Sequence, residues 1–238
     1  MPVITVSGYL ASGAREIAQR VAQELGLEFV DQMILVEAAR ELGVSVAAME
    51  KRDERPSSIG ERLASVLGSL MERSAAAGAF DPMSGGGMGL DMVLARTYGE
   101  AAELPSGEQR GQLTDERYIK TLTAVIKGIG ARDNVVILGR GSQAILQETP
   151  QTLHVYIAAS KEWRTNNLVL HEGMSRQDAG RRIEKSDQNR QAFHRRYFKV
   201  EFNDPQQYDL AINAGRLNPA VAARMIAVAA AELAPKPG

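Results

Sequence analysis

Cysteine is absent from the chain. That excludes disulfides, thiolate metal sites and a cysteine nucleophile. Histidine is scarce, and His154, His171 and His194 are scattered with no metal-ligand spacing. Neither sign of charge dominates: the formal net charge is −1. No global field therefore recruits nucleic acid or a membrane surface. No apolar run reaches the roughly 18 residues that a membrane-crossing helix requires, and no signal-peptide pattern is visible. A cytoplasmic location is expected. Internal repeats are also lacking.

What is present suffices for a core. The 238 residues are 44% hydrophobic, enough for one large domain or a domain with an inserted lobe. The informative stretch is residues 3–18. Val3-Ile4-Thr5-Val6 is a β-branched run suited to a buried parallel strand. Gly8 and Gly13 follow with the G-x-x-x-x-G spacing. An amphipathic helix starts at once, with Ile17, Val21 and Leu25 on one stripe and Gly26 as its stop. Strand, glycine loop and helix N-terminus together form a phosphate cradle, because backbone N–H groups and the helix dipole point into the loop. A Walker loop continues with Lys and then Ser/Thr. Here those positions hold Ala14 and Arg15. The Arg15 guanidinium can bind phosphate but cannot ligate a metal. The alternative is a strand–turn–helix whose glycines serve only the turn.

Downstream, residues 27–30 read as a second strand ending at Asp31, and a helix over 33–42 stops at Gly43. Asp31 is a candidate substrate contact or the N-cap of that helix. Another helix is expected after Ser45, and a capping box at Ser58–Glu61 starts one reaching about 77. Composition then shifts. Residues 78–89 carry Gly85-Gly86-Gly87 with Met83 and Met88 nearby, residues 90–102 read as a helix, and 104–112 is again polar. This middle region reads as a helical insertion that covers substrate or forms a dimer contact, or else as a linker.

The helix over 114–130 presents Tyr118, Leu122, Val125, Ile126 and Ile129 inward. A buried strand over 134–138 runs into Gly139-Arg140-Gly141. Arg140 thus lies at a strand's carboxyl end, where open sheets bind ligands, and is read as a phosphate or base contact. A strand over 153–158 and a helix over 161–171 follow. Trp163 is read as a packing anchor. Ser175 opens another helix. Arg181, Arg182, Arg190, Arg195 and Arg196 form a dense guanidinium cluster, suited to charge migrating in phosphoryl transfer. A nucleic-acid patch is the competing use, disfavoured by the net charge. Asp187 and Arg190 lie three apart on one helix face, a spacing that also suits a plain exposed salt bridge. A strand over 208–213 and a last helix capped by Asn218-Pro219 end the pattern. Alternating strands and helices predict a parallel α/β sheet.

In this order the motifs resemble the cytidylate kinase-like branch of the P-loop nucleoside monophosphate kinases. The likeness runs from Val3 to about Leu217. It rests on Ser12-Gly13-Ala14-Arg15-Glu16-Ile17-Ala18, Phe29-Val30-Asp31, Val136-Ile137-Leu138-Gly139-Arg140-Gly141, Asp187-Gln188-Asn189-Arg190 and Tyr208-Asp209-Leu210-Ala211-Ile212-Asn213. It implies a three-layer α/β/α P-loop NTPase-type domain over 1–238, with the helical insertion at about 55–113 and an Arg-rich lid at about 172–203. The implied activity is transfer of the ATP γ-phosphoryl group to a nucleoside monophosphate, with Mg²⁺. Gly8, Ser12, Gly13, Ala14, Arg15 and Glu16 would hold the donor nucleotide. Arg15 and Arg190 would be catalytic. Asp31, Arg140, Asp187, Arg182, Arg195 and Arg196 would face the substrate. No metal-ligating residue is assigned. Nucleotides are the expected partners, with a homodimer as a further expectation. Ala14, Arg15 and Leu138 also suit a nucleotide-binding or sensory module without catalysis. An oligomeric scaffold using residues 63–92 is the third reading.

Overall fold

The computed structural model describes residues 2–31, 33–43 and 114–233. The insertion at 55–113, the helices expected after Ser45, Ser58 and Leu90, and the scaffold interface at 63–92 lie outside the described residues. Strand β1 (Val3–Gly8) leads through the glycine loop into helix α1 (Ala14–Leu25). Next come β2 (Glu28–Val30) and α2 (Met33–Leu42). Then follow α3 (Asp115–Gly130), β3 (Val135–Leu138) and the short α4 (Ser142–Ile145). Strand β4 (Thr152–Ala158), α5 (Lys161–Glu172) and the long α6 (Arg176–Tyr197) come next. A 3-10 turn (Pro205–Gln207), β5 (Leu210–Asn213) and α7 (Pro219–Ala231) complete the chain.

The five strands are all parallel, in the order β2-β3-β1-β4-β5. Strand alternation splits the core between the two faces. Ile4 and Val6 pack with Ile17, Val21 and Ile226 on the α1/α7 side. Val3 and Ile137 pack with Leu122, Ile126 and Phe193 on the other. Each such buried aliphatic side chain stabilises the fold by about 1.5–3 kcal/mol. This is the parallel α/β sheet that the alternation of strands and helices predicts, in the three-layer form that the family resemblance implies. Further along β1 the same face turns polar: Thr5 Oγ1 lies 2.7 Å from His154 Nδ1, and Ser7 Oγ donates to Gln143 Oε1 at 3.2 Å.

Helix ends follow the sequence signals. Thr114, Ser160, Ser175 and Asn218 cap their helices through side-chain oxygens, and Gly26 closes α1 in the left-handed region. Strand boundaries shift by a residue or two, most at the last strand. The last strand begins at Leu210, because Tyr208 belongs to the turn and Asp209 Oδ2 accepts from the His154 backbone N–H at 2.8 Å.

Strand β1 feeds α1 toward β2, whereas β4 feeds α5 toward β5 at the opposite edge. The chain thus diverges above the carboxyl ends of β1 and β4, and a crevice opens there. At the neighbouring end of β3, Gly139, Arg140 and Gly141 all have positive φ, at 71°, 59° and 73°. The Phe198 ring packs directly on Gly141, where an added Cβ would come within 2.3 Å. Gly141→Ala combines this overlap with an unfavourable φ, so a loss of about 2 kcal/mol is expected by thermal melting.

Candidate functional site

Local sequence builds the loop. Gly8 is required by close approach: a Cβ there would lie 2.5 Å from Ser12 Oγ and 2.9 Å from the Ile157 carbonyl oxygen. Gly13 adopts φ 82° and leads into α1 with no side-chain cap. The first-turn N–H groups of α1 are thus left for a ligand. Ser12 is 1% exposed, and its Oγ has no hydrogen-bond partner among the described residues. Trp163 is half-buried, with its indole within 4 Å of the positions that Cβ atoms on Gly13 and Gly215 would take.

The arginines are distributed differently from the sequence reading. Arg190 is half-buried and donates through Nη1 to the Gly8 carbonyl, with its guanidinium 5.6 Å from the centre of the Phe202 ring. Burial lowers its pKa from the ordinary arginine value, and Asp187 opposes the shift. Asp187 does not pair with Arg190. Its carboxylate accepts from Arg164 through both oxygens, at 2.9 and 2.7 Å. Arg164 also donates to the Leu10 carbonyl at 3.3 Å and lies 5.1 Å above the Tyr9 ring.

Arg15 pairs with Asp31 at 2.8 Å. Burial raises the Asp31 pKa, while Arg15, Arg140 and Arg190 pull it down. These groups therefore share one field at the crevice mouth. Glu16 pairs with Arg20 on the exposed face of α1, so only its backbone faces the loop. The expected guanidinium cluster is dispersed. Arg182 binds Glu172, Arg195 binds Glu201 and Arg196 binds Asp115, each in a separate pair. A long helix carries arginines around its whole circumference, so these three meet carboxylates on different neighbours while Arg190 alone of the cluster turns to the loop.

Several site residues escaped the sequence reading. Tyr9, in the loop, accepts a hydrogen bond from Gln191 Nε2 at 2.9 Å and packs edge-on to Phe202 at 4.8 Å. Phe202 in turn meets Tyr156 at 5.8 Å and His194 at 4.7 Å. Burial pushes Tyr156 up to about 12 and raises Tyr208 further. Every tyrosine of this group keeps its proton at neutral pH. Burial lowers His194 to about 4, although its Nδ1 faces the Arg190 carbonyl at 2.8 Å. The unfolded chain binds the His194 proton more readily. Stability is therefore full above about pH 6.5 and falls as pH drops toward 4. Melting temperatures across that window are expected to decline, and His194→Gln is expected to flatten the slope.

The sequence profile of the cytidylate kinase-like family matches residues 3–216. Among solved structures, the chain is similar to an uncharacterized protein from Eubacterium ventriosum. The two share 16% identity at a TM-score of 0.61 over 98% of this chain and 99% of that one, a likeness of fold. A shikimate kinase from Bacteroides thetaiotaomicron aligns at 11% identity and TM-score 0.46, over 94% of this chain and 95% of that one. A gluconokinase from Sinorhizobium meliloti aligns at 14% and 0.46, over 98% and 93%. Both alignments are too loose to carry an argument. No curated protein sequence matches the chain. The profile match spans β1 to β5, the glycine loop and the Asp187/Arg190 helix, and on it the chain belongs to the cytidylate kinase-like family.

Proposed function

We propose that the chain is an ATP-dependent nucleoside monophosphate kinase with a cytidylate-like acceptor. The observation that supports this reading is the pairing of an uncapped helix N-terminus with a half-buried guanidinium at the same loop, Arg190 on the Gly8 carbonyl. A triphosphate fits the loop by its amides, the Ser12 hydroxyl and the nearby arginine. Asp31, Arg15 and Arg140 would bind the acceptor nucleotide at the crevice mouth. Helix α6, within a lid of about 172–203, would bring Arg190 to the transferring group. Phosphoryl transfer asks mainly for positioning and charge neutralisation, which these groups supply.

Magnesium does not fit the loop's own side chains. Arg15 stands where a Walker loop has its magnesium hydroxyl, and no group of three metal-binding side chains occurs among the described residues. Mg²⁺ belongs here to the nucleotide substrate.

A panel of nucleoside triphosphates and monophosphates with Mg²⁺, read by ³¹P NMR, tests the reading. Diphosphates of both donor and acceptor are expected. The second reading, a nucleotide-binding module without catalysis, is favoured by Ala14, which is buried at 7% exposure where the Walker lysine would stand. Saturable binding with no transfer to any acceptor would select it.

A further inference from the structure

We propose that Asn167 is a positioning residue that fixes the shape of the phosphate loop by holding Ala11 in the left-handed region. Ala11 has φ 60°, a conformation that a residue bearing a Cβ adopts only when its surroundings impose it. Asn167, on α5, donates through Nδ2 to the Ala11 carbonyl at 3.1 Å. One residue earlier, the Leu10 carbonyl accepts from Arg164 on the same helix. Leu10 and Ala11 also pack against Leu168, Ala179 and Ile183 of α5 and α6. Two successive carbonyls are thus turned toward α5.

A planar trans peptide sends its N–H the opposite way from its C=O. The N–H that follows the Ala11 carbonyl belongs to Ser12, and it donates back to the Tyr9 carbonyl at 3.1 Å. Asn167 therefore closes the turn that delivers Ser12, Gly13 and the α1 N-terminus to the ligand. The loop lacks a lysine tether of its own, and α5 supplies tethers from outside. This deepens the nucleotide-binding reading and rests on it for the binding measurement alone.

The full chain is tested by hydrogen exchange across residues 7–16 and by ATP titration followed through Trp163 fluorescence. Alanine at position 167 favours the helix, so Asn167→Ala keeps α5 intact. The variant is expected to speed loop exchange, and to raise the dissociation constant for ATP, by about three- to tenfold each, the loss of one net hydrogen bond. In an Ala11→Gly background the same substitution is expected to change both much less, because glycine holds a positive φ without support. Unchanged loop exchange would overturn the proposal. So would an equal loss in both backgrounds, which would place the role of Asn167 elsewhere on α5. Wild-type protein that binds no ATP would instead remove the nucleotide reading, and the exchange measurement would still decide for or against Asn167.

Discussion

Arg190→Met is expected to lower the phosphoryl-transfer kcat by about 10²–10³, the usual cost of removing one preorganised charge donor. Methionine keeps much of the stem's volume against Phe202 and removes only the guanidinium. ATP affinity is expected to fall far less, because the loop amides stay in place. Arg190→Lys, which keeps a charge but loses the fork, is expected to fall between the two. Initial rates at saturating ATP, paired with Trp163 titrations, separate kcat from binding. A kcat within threefold of wild type would show that Arg190 serves only to hold Gly8.

The second large effect lies one turn earlier on the same helix. Asp187→Ala is expected to destabilise the protein by about 3–5 kcal/mol, because it strands the Arg164 charge in the interior. The Arg164 side chain is 5% exposed and that of Asp187 21%, so water does little to screen either. At about 2–4 °C per kcal/mol for a chain of this size, the melting temperature is expected to drop by roughly 10 °C. The double variant Arg164→Met/Asp187→Leu is expected to regain most of that stability, since an apolar pair of similar volume often replaces a buried ion pair without loss. It would not regain nucleotide binding, because the Leu10 carbonyl loses its donor. Thermal melts of both singles and the double, with ATP titrations, check this. A loss below 1 kcal/mol for Asp187→Ala would contradict it.

The parts of this site that were legible in the sequence are those determined locally. Gly8 and Gly13 announce a turn and a close approach. Glycines on both sides of Arg140 announce a tight turn at the strand's end, and serine, threonine and asparagine announce the caps. Such signals depend on residues within a few positions of each other. The unreadable parts come from distant crossings. Arg164 meets the loop across 154 positions and Arg190 across 182. Periodicity states which face of a helix a residue shares, so it grouped Asp187 with Arg190. It cannot state that α5 lies close enough to take Asp187 away. Likewise, a helix rich in arginine reads as a charged cluster. Only the fold reveals that Glu172, Glu201 and Asp115 claim Arg182, Arg195 and Arg196. Tyr9 gave no signal because a tyrosine in a glycine loop fits no motif, and its partners Gln191 and Phe202 come from the far end of the chain.

The central claim is that backbone amides and an arginine from α6 bind a polyphosphate at a loop without a lysine. The most direct measurement is a titration of the wild-type protein with ATP and with inorganic tripolyphosphate, followed by the fluorescence of Trp163, the lone tryptophan. Its indole lies against the loop beside Gly13. A saturable change with both ligands, each competing with the other, is the predicted result. Folded protein whose fluorescence responds to neither, with no binding heat by calorimetry, would contradict it.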